Sequence, residues 1–394
     1  MYSPKLFEKV VLNNQIEAPS RLAIAPLTLF SSNPDGSLSD EESKYLELRA
    51  TGVGLYILGA CAVSQEGIAF LTQPRSFSEK DIEPNAQRAK IIKSQGALAI
   101  NQIHHGGALA KREYSGLSPV APSAEIANQE LQKRNEVTEE NKIRELTDEE
   151  IKKIINDFAY ATEISLKAGY DGIEIHGANN YLIQQFYSPY TNRRTDDWGG
   201  SVEKRMNFPL KIVDACCKVR EKFNRPDFII GYRLSPEEPF EPGITMTETI
   251  QLVKALVQKP LQYIHISQKN YFQKTRRGEG AGIERLKVIH DLIKGKMALI
   301  GVGGLRTQKD FTDAINSGLS EFVAAGVSSM MNRDLGILLK ENKGDKLEIE
   351  LDPEHPERYA FSKVLWDFCI SDHGLDFLPP VKGGKPLKKP MVKI

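Results

Sequence analysis

The sequence predicts a single (β/α)8 barrel of the TIM type, and three observations carry that prediction. Short, β-branched runs recur eight times along the 394 residues, each ends in a polar or glycine-rich loop, and a helical pattern follows. Strict strand–helix alternation implies a parallel sheet, because parallel neighbours need a crossover connection. Eight such units favour closure over an open doubly wound sheet. Barrels of this kind commonly reach about 250 residues and more as one unit, so the length demands no second domain.

In chain order the strands are read at 21–28 (RLAIAPLT), 54–60 (GLYILGA), 97–105 (ALAINQIHH), 171–177 (DGIEIHG), 228–235 (FIIGYRLS), 263–267 (YIHIS), 297–304 (MALIGVGG) and 322–326 (FVAAG). The clearest helix runs from Thr147 to Ala168. Thr147 and Glu150 form a capping box, Ile151, Ile154, Ile155, Phe158 and Ala161 trace one face, and Gly169 stops it. Other helices begin near Asp40, Pro84, Ser201, Thr245, Glu284 and Thr307. Two stretches fall outside the eight units: residues 106–146 are expected as an insertion on the loop face after strand three. The barrel is expected to occupy 1–345, with 346–394 as a carboxyl-terminal extension packed on it.

Lysine plus arginine balances aspartate plus glutamate at 52 each, so no global field favours nucleic acid or an anionic membrane. The amino terminus lacks the long apolar run of a signal peptide, and no stretch approaches the roughly 20 apolar residues that span a bilayer. A cytoplasmic protein handling a small-molecule substrate is expected, with a homo-oligomer left open. Cys61, Cys216, Cys217 and Cys369 form no C-x-x-C pair, and no metal site is expected.

Active sites of these barrels sit at the carboxyl ends of the strands, where this sequence places its unusual polar residues. Alternation turns Ile173 and Ile175 toward the helices, so Glu174 and His176 face the interior; by the same count Arg233, His265 and Ser267 face inward. A barrel interior normally takes Val, Ile and Leu. Charged groups there form an internal ion network, such as Glu174 with Arg233, or serve a ligand. Gly301-Val302-Gly303-Gly304 after strand seven and Ala324-Ala325-Gly326 after strand eight let backbone amides approach an anion, which predicts a phosphate-bearing ligand.

The run DGIEIHGANNYLIQQFYSPYTNRRTDDWGGSVEKR from Asp171 to Arg205 resembles the Old Yellow Enzyme family of NADH:flavin oxidoreductases. APLT at 25–28, NQIHHGG at 101–107, SPVAPSAE at 118–125, GYRLSPEE at 231–238, YIHIS at 263–267 and GVGGL at 301–305 extend the resemblance in order over most of the chain. It implies FMN across the barrel mouth. Pro26, Leu27 and Thr28 would line the isoalloxazine, with Ala60 and Gln102 at its pyrimidine edge and Arg233 near N1 and O2. Gly303, Gly304 and Gly326 would hold the phosphate.

The resemblance also implies His176 and Asn179 as donors to a substrate carbonyl or nitro oxygen, Thr28 near the flavin C4 carbonyl, and Tyr181 as the proton donor. NADH or NADPH would be the reductant of a ping-pong cycle that reduces an α,β-unsaturated carbonyl or a nitro compound. The sequence departs from the pattern at Val327, where the family carries a phosphate-binding arginine; Arg306 or the backbone is left to supply that contact, and FMN retention is left open. A non-catalytic flavin- or phosphate-binding barrel is the alternative, resting on Val327 alone. An aldolase or isomerase barrel would want a lysine or carboxylate base at a strand end, and the eight strands show no inward lysine.

Overall fold

The structure, a computed structural model, describes residues 3–125, 127, 129, 142–372 and 378–385. Eight parallel strands close a barrel in chain order: β1 (Leu22–Ile24), β2 (Leu55–Ala62), β3 (Leu98–His104), β4 (Gly172–Gly177), β5 (Ile229–Leu234), β6 (Tyr263–Ile266), β7 (Ala298–Val302) and β8 (Phe322–Ala325). All eight expected strands are present, several of them shorter than expected. β1 stops at Ile24, and Pro26, Leu27 and Thr28 lie in the loop beyond it. Pro26 has no amide hydrogen to give a ladder, so the last bond of this strand end is Ala25 N–H to Ala325 O at 2.9 Å. β7 stops at Val302 because Gly303 and Gly304 turn the chain through φ of 136° and 68°.

The main outer helices are α1 (Asp40–Leu46), α2 (Ile82–Lys93), α3 (Asp148–Lys167), α4 (Asn207–Lys222), α5 (Met246–Leu256), α6 (Arg285–Ile293) and α7 (Gln308–Asn316). The expected starts hold. Thr147 and Glu150 close both halves of the capping box of α3, Thr245 and Thr307 do the same for α5 and α7, and Ser201 caps a short turn, Val202–Arg205, ahead of α4. Ile151, Ile154, Phe158 and Ala161 of α3 are buried with Ile173 and Ile175 in the shell between sheet and helices.

The interior is a separate apolar cluster of Ala23, Leu55, Ile57, Ile100, Ile229, Tyr263, Ala298, Ile300, Phe322 and Ala324. A small antiparallel pair, Val10–Val11 with Glu17–Ala18, closes its amino-terminal end. Asn13 and Asn14, in the turn of that pair, donate to Leu261 O, Lys296 O and Asp227 O, carbonyls just ahead of β6, β7 and β5.

In the insertion, Val120–Ala121 pairs in parallel with Arg144–Glu145; its central residues, 130–141, lie outside the described residues. In the extension, helix Lys363–Ile370 returns over the loop after β1. Ser362 Oγ donates to Phe30 O at 3.1 Å, and Phe368 packs edge-on against Phe30 with ring centres 5.3 Å apart. No described helix is long and apolar enough to cross a membrane.

Candidate active site

Register builds the polar end of the barrel. Gln102 of β3 pairs with Glu174 of β4, Glu174 with Gly231 of β5, and Gly231 with Tyr263 of β6. One row higher, His176, Arg233 and His265 stand side by side. Paired residues on parallel strands share a face, so two rows of polar side chains stand above the apolar plug. Gly231 is what allows this: a Cβ there would lie 2.0 Å from the Tyr263 ring. The expected ion pair of Glu174 with Arg233 does not form. Glu174 instead accepts from His265 Nδ1 at 2.8 Å and from Gln102 Nε2 at 2.6 Å.

Three side chains from the end of β4 and the loop after it present donors at the mouth. The Ala178 N–H donates to His176 Nδ1 at 3.3 Å, which leaves the proton on Nε2. Burial, then the nearby His104 and Arg233, hold His176 well below the ordinary histidine value, so it acts as a neutral donor. Asn179 sits at φ 57° with its backbone N–H on Ser235 Oγ at 2.9 Å. Its side-chain oxygen accepts from Ser267 Oγ at 2.7 Å, which leaves the amide nitrogen free to donate. Ser267 in turn accepts from Arg233 Nη2 at 3.3 Å.

Tyr181 stands beside them, its ring 5.1 Å from His176 and 4.4 Å from His104, with Phe70 edge-on at 5.9 Å. Burial raises its phenol above the ordinary tyrosine value and outweighs the pull of Arg233, so the hydroxyl keeps its proton.

The residues expected around a cofactor converge on the same face. A Cβ on Gly59 would lie 2.6 Å from both Pro26 Cβ and Gln102 Oε1, so these two side chains flank β2 next to Ala60. A Cβ on Gly326 would meet only Leu27 Cδ2, at 4.0 Å, so the backbone after β8 opens beside the loop after β1. Thr28 occupies the same loop as Pro26 and Leu27. The Gly303–Gly304 turn lies against the backbone of Asn270 and Tyr271. Val327 packs partly buried against the outer core, away from any polar role.

Residues 5–346 match the NADH:flavin oxidoreductase / NADH oxidase family. The chain belongs to that family. It is 38% identical over 375 residues to the probable NADH-dependent flavin oxidoreductase YqiG of Bacillus subtilis, covering 95% of this chain and 97% of that one. It is 35% identical over 323 residues to the NADH:acrylate oxidoreductase of Vibrio harveyi, covering 80% of this chain but only 31% of that longer protein. Among solved structures, the old yellow enzyme homologue from Zymomonas mobilis superposes with a TM-score of 0.74 at 25% identity, over 91% of this chain and 99% of that one.

This flavin oxidoreductase is therefore an FMN-dependent enzyme on a (β/α)8 barrel, and the binding-only alternative falls away. Its residues fit the cofactor. Arg233 Nε and His265 Nε2 are buried with no partner among the described residues, and such atoms are costly unless a ligand meets them. The open backbone at Gly326 suits a phosphate tail, and the Gly303–Gly304 turn, packed on Asn270 and Tyr271, brings a second stretch of side-chain-free backbone to the same end of the barrel.

Sequence reasoning gave no task to Ser267, Ser235, Gln73 or Phe70 in this site. Gln73, from the loop after β2, donates to Ala60 O at 2.9 Å and to His104 Nδ1 at 3.1 Å. No periodicity or motif marks a residue whose role is to orient another. The inward position of Ser267 in β6's alternation was the one available signal.

Proposed function

We propose that this enzyme reduces the activated carbon–carbon double bond of an α,β-unsaturated carbonyl compound, or a nitro compound, with electrons from NADH or NADPH. The observation that carries the reading is the convergence of two neutral donors, His176 Nε2–H and the Asn179 amide, with the protonated Tyr181 hydroxyl at one barrel mouth. Bound FMN supplies the hydride. Pro26, Leu27, Thr28, Ala60, Gln102 and Arg233 would hold its ring system, and Gly303, Gly304 and Gly326 its phosphate.

His176 and Asn179 donate to the substrate oxygen and strengthen as negative charge builds on it. Both are neutral, so the stabilisation comes from aimed dipoles and needs no proton transfer at that oxygen. Tyr181 delivers the proton to the α carbon. A phenol raised by burial retains that proton at neutral pH and yields it only to a strong base such as an enolate carbon. The guanidinium of Arg233, permanently charged, would offset the negative charge of the reduced ring. The name of the acrylate-reducing relative supports an activated alkene as the substrate class.

Anaerobic addition of NADH or NADPH to the purified flavoprotein should bleach its visible absorption, and 2-cyclohexenone should restore it. Flavin that bleaches but is reoxidised by air alone would overturn the alkene reading.

A further inference from the structure

Glu174 and His265 are inward side chains that the proposed reaction leaves without a task. Glu174 is wholly buried in the barrel, accepts from His265 Nδ1 at 2.8 Å and from Gln102 Nε2 at 2.6 Å, and has the Tyr263 phenol close by. A carboxylate only accepts, so its contact decides which end of the Gln102 amide faces it. The nitrogen points to Glu174. The oxygen lies beside Gly59 and Pro26, 2.6 Å from where a Gly59 Cβ would be, and accepts no bond from the described residues.

The charges support the same arrangement. Burial raises the Glu174 carboxyl, but the interaction with His265, the Arg233 charge and the Gln102 hydrogen bond outweigh it and keep the group ionised. Burial keeps His265 neutral despite the carboxylate. Arg233 stands one register row above, its Nε unpartnered among the described residues and Glu174 the foremost charge favouring its cationic form. A fixed anion and a fixed cation thus share the floor of the proposed cofactor site. A ligand that becomes more negative is drawn by Arg233 and opposed by Glu174.

We propose that Glu174 is a positioning residue for FMN: it turns the Gln102 carbonyl toward the cofactor, and its charge offsets Arg233 and so sets the relative affinity for oxidised and reduced FMN. The inference rests on the FMN contacts proposed above for Gln102 and Arg233. It separates into two effects, orientation through Gln102 and charge through space, which different variants isolate.

The test uses the full-length protein. The affinity for oxidised FMN is read by fluorescence quenching, and the reduced-to-oxidised affinity ratio by equilibration against a redox dye. E174Q should weaken oxidised FMN roughly tenfold by freeing Gln102. It should also raise the affinity ratio by roughly tenfold or more, because the opposing charge is gone. E174D keeps the charge and should keep the ratio near wild type. Q102L should weaken oxidised FMN about as much as E174Q while leaving the ratio unchanged. E174Q placed on Q102L should cost no further oxidised-FMN affinity.

An unchanged ratio in folded E174Q overturns the charge role, and wild-type affinity in Q102L overturns the orientation role. Should E174Q not fold, Q102L still decides the orientation role, and an E174D ratio far from wild type overturns the charge role. Wild-type protein that takes up no FMN overturns the cofactor contacts and the inference with them. Wild-type uptake with unaltered variants overturns the inference alone.

Discussion

The two ends of the barrel interior are built from the same strands and obey different rules. At the amino-terminal end, Leu55, Ile57, Ile100, Ile229, Ile300 and Phe322 meet in an apolar plug closed by the small strand pair around Val10 and Ala18. At the carboxyl end, only a few residues further along the same strands, Gln102, Glu174, His176, Arg233 and His265 face the same axis and are buried just as fully. The plug is stabilised by removing apolar area from water, which needs shape and volume but no particular partner. The polar end is stable only if each group finds a defined partner, and some of its atoms, such as Arg233 Nε, find none among the described residues. One end of the barrel thus contributes stability. The other is left with unmet hydrogen-bonding demand that a ligand can satisfy.

The largest expected break in this contrast lies at the mouth. Tyr181→Phe keeps the ring and its packing against His104 and Phe70 but removes the proton. Reoxidation of the reduced enzyme by an enone should slow by about 10²–10⁴-fold while reduction by nicotinamide is spared, as stopped-flow measurement of the two half-reactions would show. Equal slowing of both would remove Tyr181 from the proton-donor role.

The plug should answer in stability instead. Phe322→Ala empties a fully buried position and should cost roughly 3–5 kcal/mol in urea unfolding. The half-reaction rates of the protein that remains folded should be little changed. A comparable loss of rate would mean that the two ends are mechanically coupled.

A smaller effect depends on pH. Burial, with His105 adding to it, pushes His104 down to about 3 from the ordinary 6.5. Between those values the unfolded chain binds a proton that the native chain refuses, so native stability falls as pH drops from 7 to 5. The contribution of one such histidine over that interval is about 2 kcal/mol. His104→Leu should flatten the dependence of the unfolding midpoint on pH by that amount; an unchanged slope would mean that His104 titrates normally.

The smallest effect concerns a residue that touches no reacting atom in the proposed site. Ser267→Ala removes the hydroxyl between Arg233 and Asn179. Affinity of the oxidised enzyme for 2-cyclohexenone should fall about five- to tenfold, equivalent to about 1 kcal/mol. Unchanged affinity would show that the backbone of Asn179, held by Ser235, orients the amide unaided.

Much of this was legible in the residues alone. Strand alternation correctly turns Glu174, His176, Arg233 and His265 inward and Ile173 and Ile175 outward, because the period of two is a property of the extended backbone itself. The capping box at Thr147 and Glu150 is equally local. The sequence makes β1 longer than it is, because a β-rich composition continues through Pro26 although the ladder cannot. Charge alone pairs Glu174 with Arg233, whereas the geometry chooses His265 and Gln102.

What the sequence determined by itself is everything set by a few neighbouring residues: the eight βα units, the caps, the inward face of each strand and the motif at Asp171–Arg205. What only the tertiary structure decided is which inward groups meet: Gln102 with Glu174, Ser267 with Asn179, Gln73 with His104. Those pairs join residues from 31 to 88 positions apart. Their contact depends on the register with which the closing barrel sets one strand or loop beside the next, and no local pattern encodes it.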